Sequence, residues 1–296
     1  MDERLWKIGE QVVDLAKHGM IIGVLNVTPD SFSDGGVFFD ADAAVTRGME
    51  MARQGAQIID VGGESTRPGA EPISVDEELR RVIPVIEKLS AGMETAENAE
   101  CPTPNTERRM KFISIDTSKS EVAKAALGVG ATIVNDVTGG RGDAKMMRLV
   151  GERNAAFLIM HMQGEPRTMQ RDPHYDDVVS EVADFFLQQY GCALECGIDP
   201  MAMVFDPGIG FGKTPVHNVE LLKNLEQLRV EDRPLVVGVS RKSFLAKLTG
   251  VSEMKERIVP TIALTAVLRG RGADIFRVHD VKENLAALRV AEAILQ

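Results

Sequence analysis

"FISIDTSKSEVAKAALGVGATIVNDV", residues 112–137, contains the unit on which the fold turns. The apolar, β-branched run from Phe112 predicts a strand, the stretch near 119–128 has the spacing of an amphipathic helix, and the run from Thr132 predicts a second strand. A strand, a crossover helix and a further strand make one step of a parallel sheet.

The step recurs in both directions along the chain. Further strand-like runs begin at Ile21 ("IIGVLNV"), Ile58 ("IIDVGG"), Ala156 ("AFLIMHM"), Met203 ("MVFDPGI"), Pro234 ("PLVVGVS") and Ile275 ("IFRVHD"). Helices are expected near 41–54, 74–90, 143–152, 176–196, 216–228, 255–270 and 281–295. Eight such units in 296 residues favour an α/β fold of the (β/α)8 barrel type, a single domain over residues 1–296, against an open doubly wound sheet. Residues 91–109, "AGMETAENAECPTPNTERR", interrupt the pattern. Their polar, proline-containing composition predicts an exposed loop or mobile insertion, on the barrel face opposite the site. The opening "MDERLWKIGEQVVDLAKHGM" has helical periodicity and lacks the basic end and apolar block of a signal peptide.

Composition narrows the function. A net charge of −10 argues against nonspecific nucleic-acid binding, which needs a basic face. No apolar run approaches the ~20 residues that span a bilayer, so no membrane partner is expected. Cys101, Cys192 and Cys196 are too few and too irregular for a disulfide framework, and a reducing cytoplasm is the expected location.

Each strand ends in polar residues: Asn26, Glu64, Asp116, Asn135 with Asp136, His161, Asp206, Ser240 before Lys242, and Arg277 with His279. Singly, each has a plain reading as a cap or turn former. In a barrel all eight ends gather on one face, where barrel enzymes carry their sites. "FDPGIGFGKT", residues 205–214, invites comparison with a phosphate-binding P-loop, but Pro207 stands where the first glycine is required. What remains is a glycine-rich loop after Asp206, with Phe211 as an apolar wall. "NVTPDSFSDGG" (26–36) and "GGESTRPGA" (62–70) combine polar groups with glycines and read as a lid. "VSRKSF" (239–244) and "RVHD" (277–280) place cations at the seventh and eighth strands, where barrels hold anions.

These segments, with "DVGGESTRPGA", "ISIDTSK", "IVNDVTGG", "LIMHMQGEP" and "RVHDV", follow one another over residues 21–281 in the order of the dihydropteroate synthases, and the chain closely resembles that family. The resemblance implies the (β/α)8 barrel and a reaction joining 6-hydroxymethyl-7,8-dihydropterin diphosphate to p-aminobenzoate, with release of pyrophosphate. It implies a pterin pocket of Asp116, Asn135, Asp206 and Lys242, walled by Phe211, Met162 and Arg277. The diphosphate falls to Asn26, Arg67, Arg277 and His279, with Mg2+ on Asn26. Phe32 and Pro68 meet the p-aminobenzoate ring, Thr66 and Asp34 order the closed loops, and Ser243 receives the carboxylate. Asp116, Lys242, Arg277 and Arg67 are the expected catalytic set, and a homodimer through the last helices is implied. The role of His161 stays open, a supporting hydrogen bond being favoured over a catalytic part. Two other readings stay open: a corrinoid-linked folate methyltransferase on the same barrel, and a noncatalytic pterin-binding paralogue.

Overall fold

A computed structural model describes residues 3–28, 40–66, 69–97, 112–251 and 253–295. Eight parallel strands form the central sheet: β3 (Met20–Asn26), β4 (Ile58–Gly62), β5 (Phe112–Asp116), β6 (Ile133–Asp136), β7 (Ala156–Met160), β8 (Met203–Asp206), β9 (Val236–Val237) and β10 (Ile275–Val278). β3 pairs with both β4 and β10, β10 with β9, and the remaining strands follow in sequence to β8. A parallel bridge between Phe205 and Leu235, supported by the Phe205 N–H donating to the Pro234 carbonyl, joins β8 to the β9 segment and closes the barrel.

Helices α1 (Ala41–Arg53), α2 (Val75–Glu97), α3 (Ser120–Gly128), α4 (Met146–Glu152), α5 (Val178–Glu195), α6 (Pro215–Lys223), α7 (Ser243–Thr249), α8 (Ile258–Arg269) and α9 (Val281–Leu295) connect and surround the strands. The short α7 has no counterpart among the helices expected from the sequence. Residues 91–97 continue α2 and do not form part of a loop. Ala91, Met93, Glu94, Ala96 and Glu97 are strong helix formers, and no proline interrupts them before Pro102. The rest of the expected insertion lies outside the described residues until β5.

The N-terminal segment is also different from its helical reading. It forms an antiparallel hairpin, β1 (Leu5–Ile8) and β2 (Gln11–Asp14), turning at Gly9 and Glu10. Gly9 adopts φ +57°, which glycine accepts without steric cost and which a tight hairpin turn demands. Trp6 and Ile8 alternate inward with period two and enter the apolar cluster that fills the barrel interior. The Trp6 indole N–H donates to the Ala202 carbonyl. Nearby, buried Asp274 accepts from Arg4, Arg229 and Arg269, so the hairpin is pinned to the strand-start end.

Two apolar layers follow from strand alternation. Ile21, Leu25, Ile59, Val61, Ile113 and Val134 face the helices, while Met20, Ile22, Ile58, Phe112, Ile133, Val204, Val236 and Ile275 fill the barrel.

Candidate active site

The same period of two that fills the barrel places its polar rim. Counting from the interior residues, Ile58 leads to Asp60, Phe112 to Ser114 and Asp116, Ile133 to Asn135, Val204 to Asp206, and Ile275 to Arg277. Backbone register pairs Asn26 with Gly62, Gly62 with Asp116, and Asp116 with Asn135, so these positions share one level. Apolar side chains plug the lower layers; polar side chains make the layer above them.

Arg277 organises that layer. Its Nε donates to Asp60 Oδ2 at 2.7 Å and its Nη2 to Asp116 Oδ2 at 2.7 Å, while Asn135 Nδ2 donates to Asp60 Oδ2 at 3.0 Å. Asp60 Oδ1 is buried with no hydrogen-bond partner among the described residues. Burial opposes the Arg277 charge, but Asp60 and Asp116 outweigh it and raise the guanidinium above its ordinary value. Burial pushes the Asp116 carboxyl up to about 7; Arg277 pulls it down, and Asp60, Glu78 and Asp136 add to the rise. A charged plane is thus held edge-on by two acids, of which Asp116 is costly to ionise.

On the other side of Arg277, Asp206 is buried and accepts from the Gly208 N–H at 2.7 Å. Burial raises its carboxyl above the usual range against the pull of Lys242. Burial lowers the Lys242 ammonium to about 8, with Asp206 opposing the fall and Arg277 adding to it. The Lys242 Nζ donates to the Ile209 carbonyl and stands 4.7 Å from the Phe211 ring centroid. Met162 belongs to the apolar cluster on which Phe211 packs. Gly238 marks where these groups converge: a methyl built there would lie 3.7 Å from Asp206 Oδ2, 3.8 Å from Lys242 Nζ and 3.9 Å from Arg277 Cβ.

The glycine loop after β8 is braced from behind. Lys213, only 2% exposed, bonds His161 Nδ1 at 2.9 Å and donates to the carbonyls of Phe211 and His161. Burial drives the lysine well below its ordinary value and the imidazole down to about 2, so a neutral His161 accepts from Lys213. The supporting bond expected of His161 is present, and its partner is the lysine of the failed P-loop match.

Of the remaining expected residues, Asn26 is half-buried at the end of β3, and His279 contacts Ser240 Oγ through both its backbone N–H and Nδ1. Thr66 is half-buried in the loop after β4, and Ser243 is exposed at the start of α7. Arg241, read from sequence as part of the basic rim, is committed elsewhere: its guanidinium binds Asp280 through two nitrogens. Phe32, Asp34, Arg67 and Pro68 lie outside the described residues. Asp60 and Gly238 were not expected. Asp60 had a signal in the sequence, a lone acid inside "IIDV" with the parity of interior Ile58; Gly238 had none.

A parallel barrel with a donor and acceptor set gathered at its strand ends has the layout of a barrel enzyme with its site on that face. The chain belongs to the pterin-binding enzyme family, whose model matches residues 22–279. It is 43% identical to the dihydropteroate synthase of Escherichia coli strain K12, over 94% of this chain and 92% of that one. It is 40% identical to the dihydropteroate synthase of Synechocystis sp., over 97% and 94%. Among solved structures it resembles Xanthomonas albilineans dihydropteroate synthase with 4-aminobenzoic acid, at TM-score 0.86 and 39% identity over 99% and 98% of the two chains. The same relative in complex with 7,8-dihydropteroate matches at TM-score 0.80 and 36% identity, over 98% of each chain.

Proposed function

We infer that the chain performs the dihydropteroate synthase reaction, a transferase step of folate biosynthesis that joins 6-hydroxymethyl-7,8-dihydropterin diphosphate to p-aminobenzoate. The observation that carries this reading is the convergence of Asp206, Lys242 and Arg277 around Gly238, beside Asn135 and Asp116. A pterin has ring N–H and amino donors beside a carbonyl. Asp206 accepts from the donors, Asn135 gives and receives, and Lys242 donates to the ring acceptors. Arg277, its plane fixed by Asp60 and Asp116, offers a flat cationic face to the ring.

The C–O bond to diphosphate breaks with its electron pair leaving on the phosphate oxygen, and the pterin C=N spreads the positive charge left behind. The p-aminobenzoate nitrogen then bonds to that carbon and releases its proton to solvent. Arg67, Arg277 and His279 stabilise the departing charge. Mg2+ fits Asn26, because this ion takes few protein oxygens and completes its shell with water and phosphate; when bound it supplies charge neutralisation. Phe32, Asp34, Thr66 and Pro68 are assigned to the aminobenzoate side of the site, where water has to be kept from the cation, with Ser243 receiving the aminobenzoate carboxylate.

A homodimer through α8 and α9 is part of the proposal, supported by exposed Val259, Val267, Val290, Ile294 and Leu295 on those helices. A cytoplasmic location is supported by the free thiols of Cys192 and Cys196. No described helix is long and apolar enough to cross a membrane. The methyltransferase and noncatalytic readings are not favoured, because relatives named for the synthase match over nearly their whole length. Pyrophosphate release tests the assignment: it should require the pterin diphosphate and accelerate with p-aminobenzoate. Release indifferent to both would defeat it.

A further inference from the structure

Beside the pterin pocket lies a charged cluster that the reaction as described does not use. Lys119 follows Asp116 by three residues, in the loop leaving β5, and its Nζ donates to Glu64 and, at 2.5 Å, to Glu78 Oε2. Glu64 belongs to the loop leaving β4; Glu78 is fully buried in the first turn of α2. One ammonium therefore links the βα loops of adjacent strands and the helix behind one of them.

The stem of the β4 loop is fixed at further points. Arg81 Nη1 of α2 donates to the Gly63 carbonyl at 2.9 Å. A methyl on Gly63 would come within 2.8 Å of Val82 Cγ1 and 3.0 Å of Glu78 Cγ, so backbone and helix already touch. Gly62 is in register with Asp116, and a methyl there would meet Asp116 Oδ2 at 3.5 Å. The loop thus starts beside Asp116, and Lys119 ties it to the neighbouring β5 loop and to α2. Burial disfavours the lysine charge, but Glu64 and Glu78 raise its pKa above the ordinary value, so Lys119 stays charged.

The floor of the pocket is filled by strand-end side chains, which leaves the second reactant to approach from above, between the βα loops. We propose that Lys119 is a positioning residue for the aromatic amine: by bridging Glu64 and Glu78 it holds the β4 loop beside Asp116 in the orientation that amine binding requires. The proposal rests on the synthase reading of the site.

The test compares Lys119→Met, Lys119→Arg and Glu64→Gln with the parent in steady-state kinetics and in hydrogen–deuterium exchange. Glu64→Gln leaves the Lys119–Glu78 pair in place and serves if Lys119→Met does not fold. Lys119→Met and Glu64→Gln should raise KM for p-aminobenzoate about tenfold and KM for the pterin diphosphate by a clearly smaller factor, because the same loop also carries Arg67, assigned to the diphosphate, while Asp206, Asn135 and Lys242 hold the ring independently of it. Lys119→Arg should restore most of the loss, and amides at 63–66 should exchange faster in the two impaired variants while those at 203–212 do not. Both KM values rising by the same factor, or neither changing, would overturn the proposal. A parent enzyme making no product would overturn the synthase reading instead; exchange would then decide on Lys119, unchanged rates at 63–66 refuting the bridge and faster rates supporting it.

Discussion

Arg277 on β10 donates to Asp60 on β4 across 2.7 Å, passing over β3, the strand that lies between them in the barrel. The pair fixes a cationic plane on the rim, and Asp60 does this from a buried position. Asp60→Asn should keep the shape, weaken the charge-assisted bond and free the guanidinium to rotate. The expected result is a stability loss of about 2 kcal/mol by denaturant titration and a fall in kcat/KM of about tenfold or more. Unchanged kinetics would mean that Asp116 alone orients Arg277.

Arg277→Lys separates charge from shape. A lysine retains the cation but cannot donate in one plane to both Asp60 and Asp116, which lie on different strands. Steady-state kinetics should show kcat/KM reduced about a hundredfold. Activity within about twofold of the parent would remove Arg277 from the site.

Gly238 supplies a steric test. Its backbone is not in the left-handed region, and an added methyl would meet its nearest neighbours at ordinary contact distance, so Gly238→Ala should fold with little change in Tm. The methyl would nonetheless occupy the space between Asp206, Lys242 and Arg277. Calorimetry should show pterin affinity lower by about tenfold or more, since an overfilled contact displaces the ring. Undiminished affinity would place the ring elsewhere on the rim.

Asp116 gives a pH signature. Its carboxyl is raised to about 7 by burial, against Arg277, from an unfolded value of about 3.9. Between those values the native state holds a proton that the unfolded chain has lost. The stability this group contributes is therefore complete below about pH 4 and disappears as pH rises through 7. Asp116→Asn cannot titrate, so the parent should lose on the order of 1–3 kcal/mol relative to it between pH 5 and 8, measured by urea unfolding. A difference independent of pH would show that Arg277 keeps Asp116 ionised throughout.

The barrel could be read from the chain because each strand is a short apolar run closed by polar residues, as in 112–116 and 133–136. The rim residues Asp116, Asn135, Asp206, Lys242 and Arg277 were legible for the same reason. Asp60 was hidden by its position two residues before the strand end, where an acid looks like an interruption of the core. Lys213 looked like a fragment of a phosphate loop, and only the fold shows that it turns inward onto His161. The hairpin at 5–14 was obscured because Trp6, Ile8, Val12 and Leu15 also suit a helical spacing. Its turn at Gly9 and the open lower end of the barrel decide the outcome, and both depend on the tertiary structure.

That lower end should be separable from catalysis. Trp6 is fully buried in the barrel interior, far along the strands from the rim. Trp6→Ala should cost about 3–5 kcal/mol of stability while kcat of the folded fraction stays near the parent value. A proportionate loss of kcat would indicate that the plug transmits strain to the rim layer.

On the proposed function, one rim centred on Asp206 binds the pterin on which the synthase reaction takes place. Chromatographic measurement of 7,8-dihydropteroate, formed from the pterin diphosphate and p-aminobenzoate by the parent and by Asp206→Asn in parallel, tests it most directly. The parent should yield one dihydropteroate for each pyrophosphate released. The variant should yield about a hundredfold less per unit time, since a buried acceptor for the ring's donors has been replaced by a group that cannot satisfy them all. Equal product from both proteins, or pyrophosphate without dihydropteroate from the parent, would contradict the account.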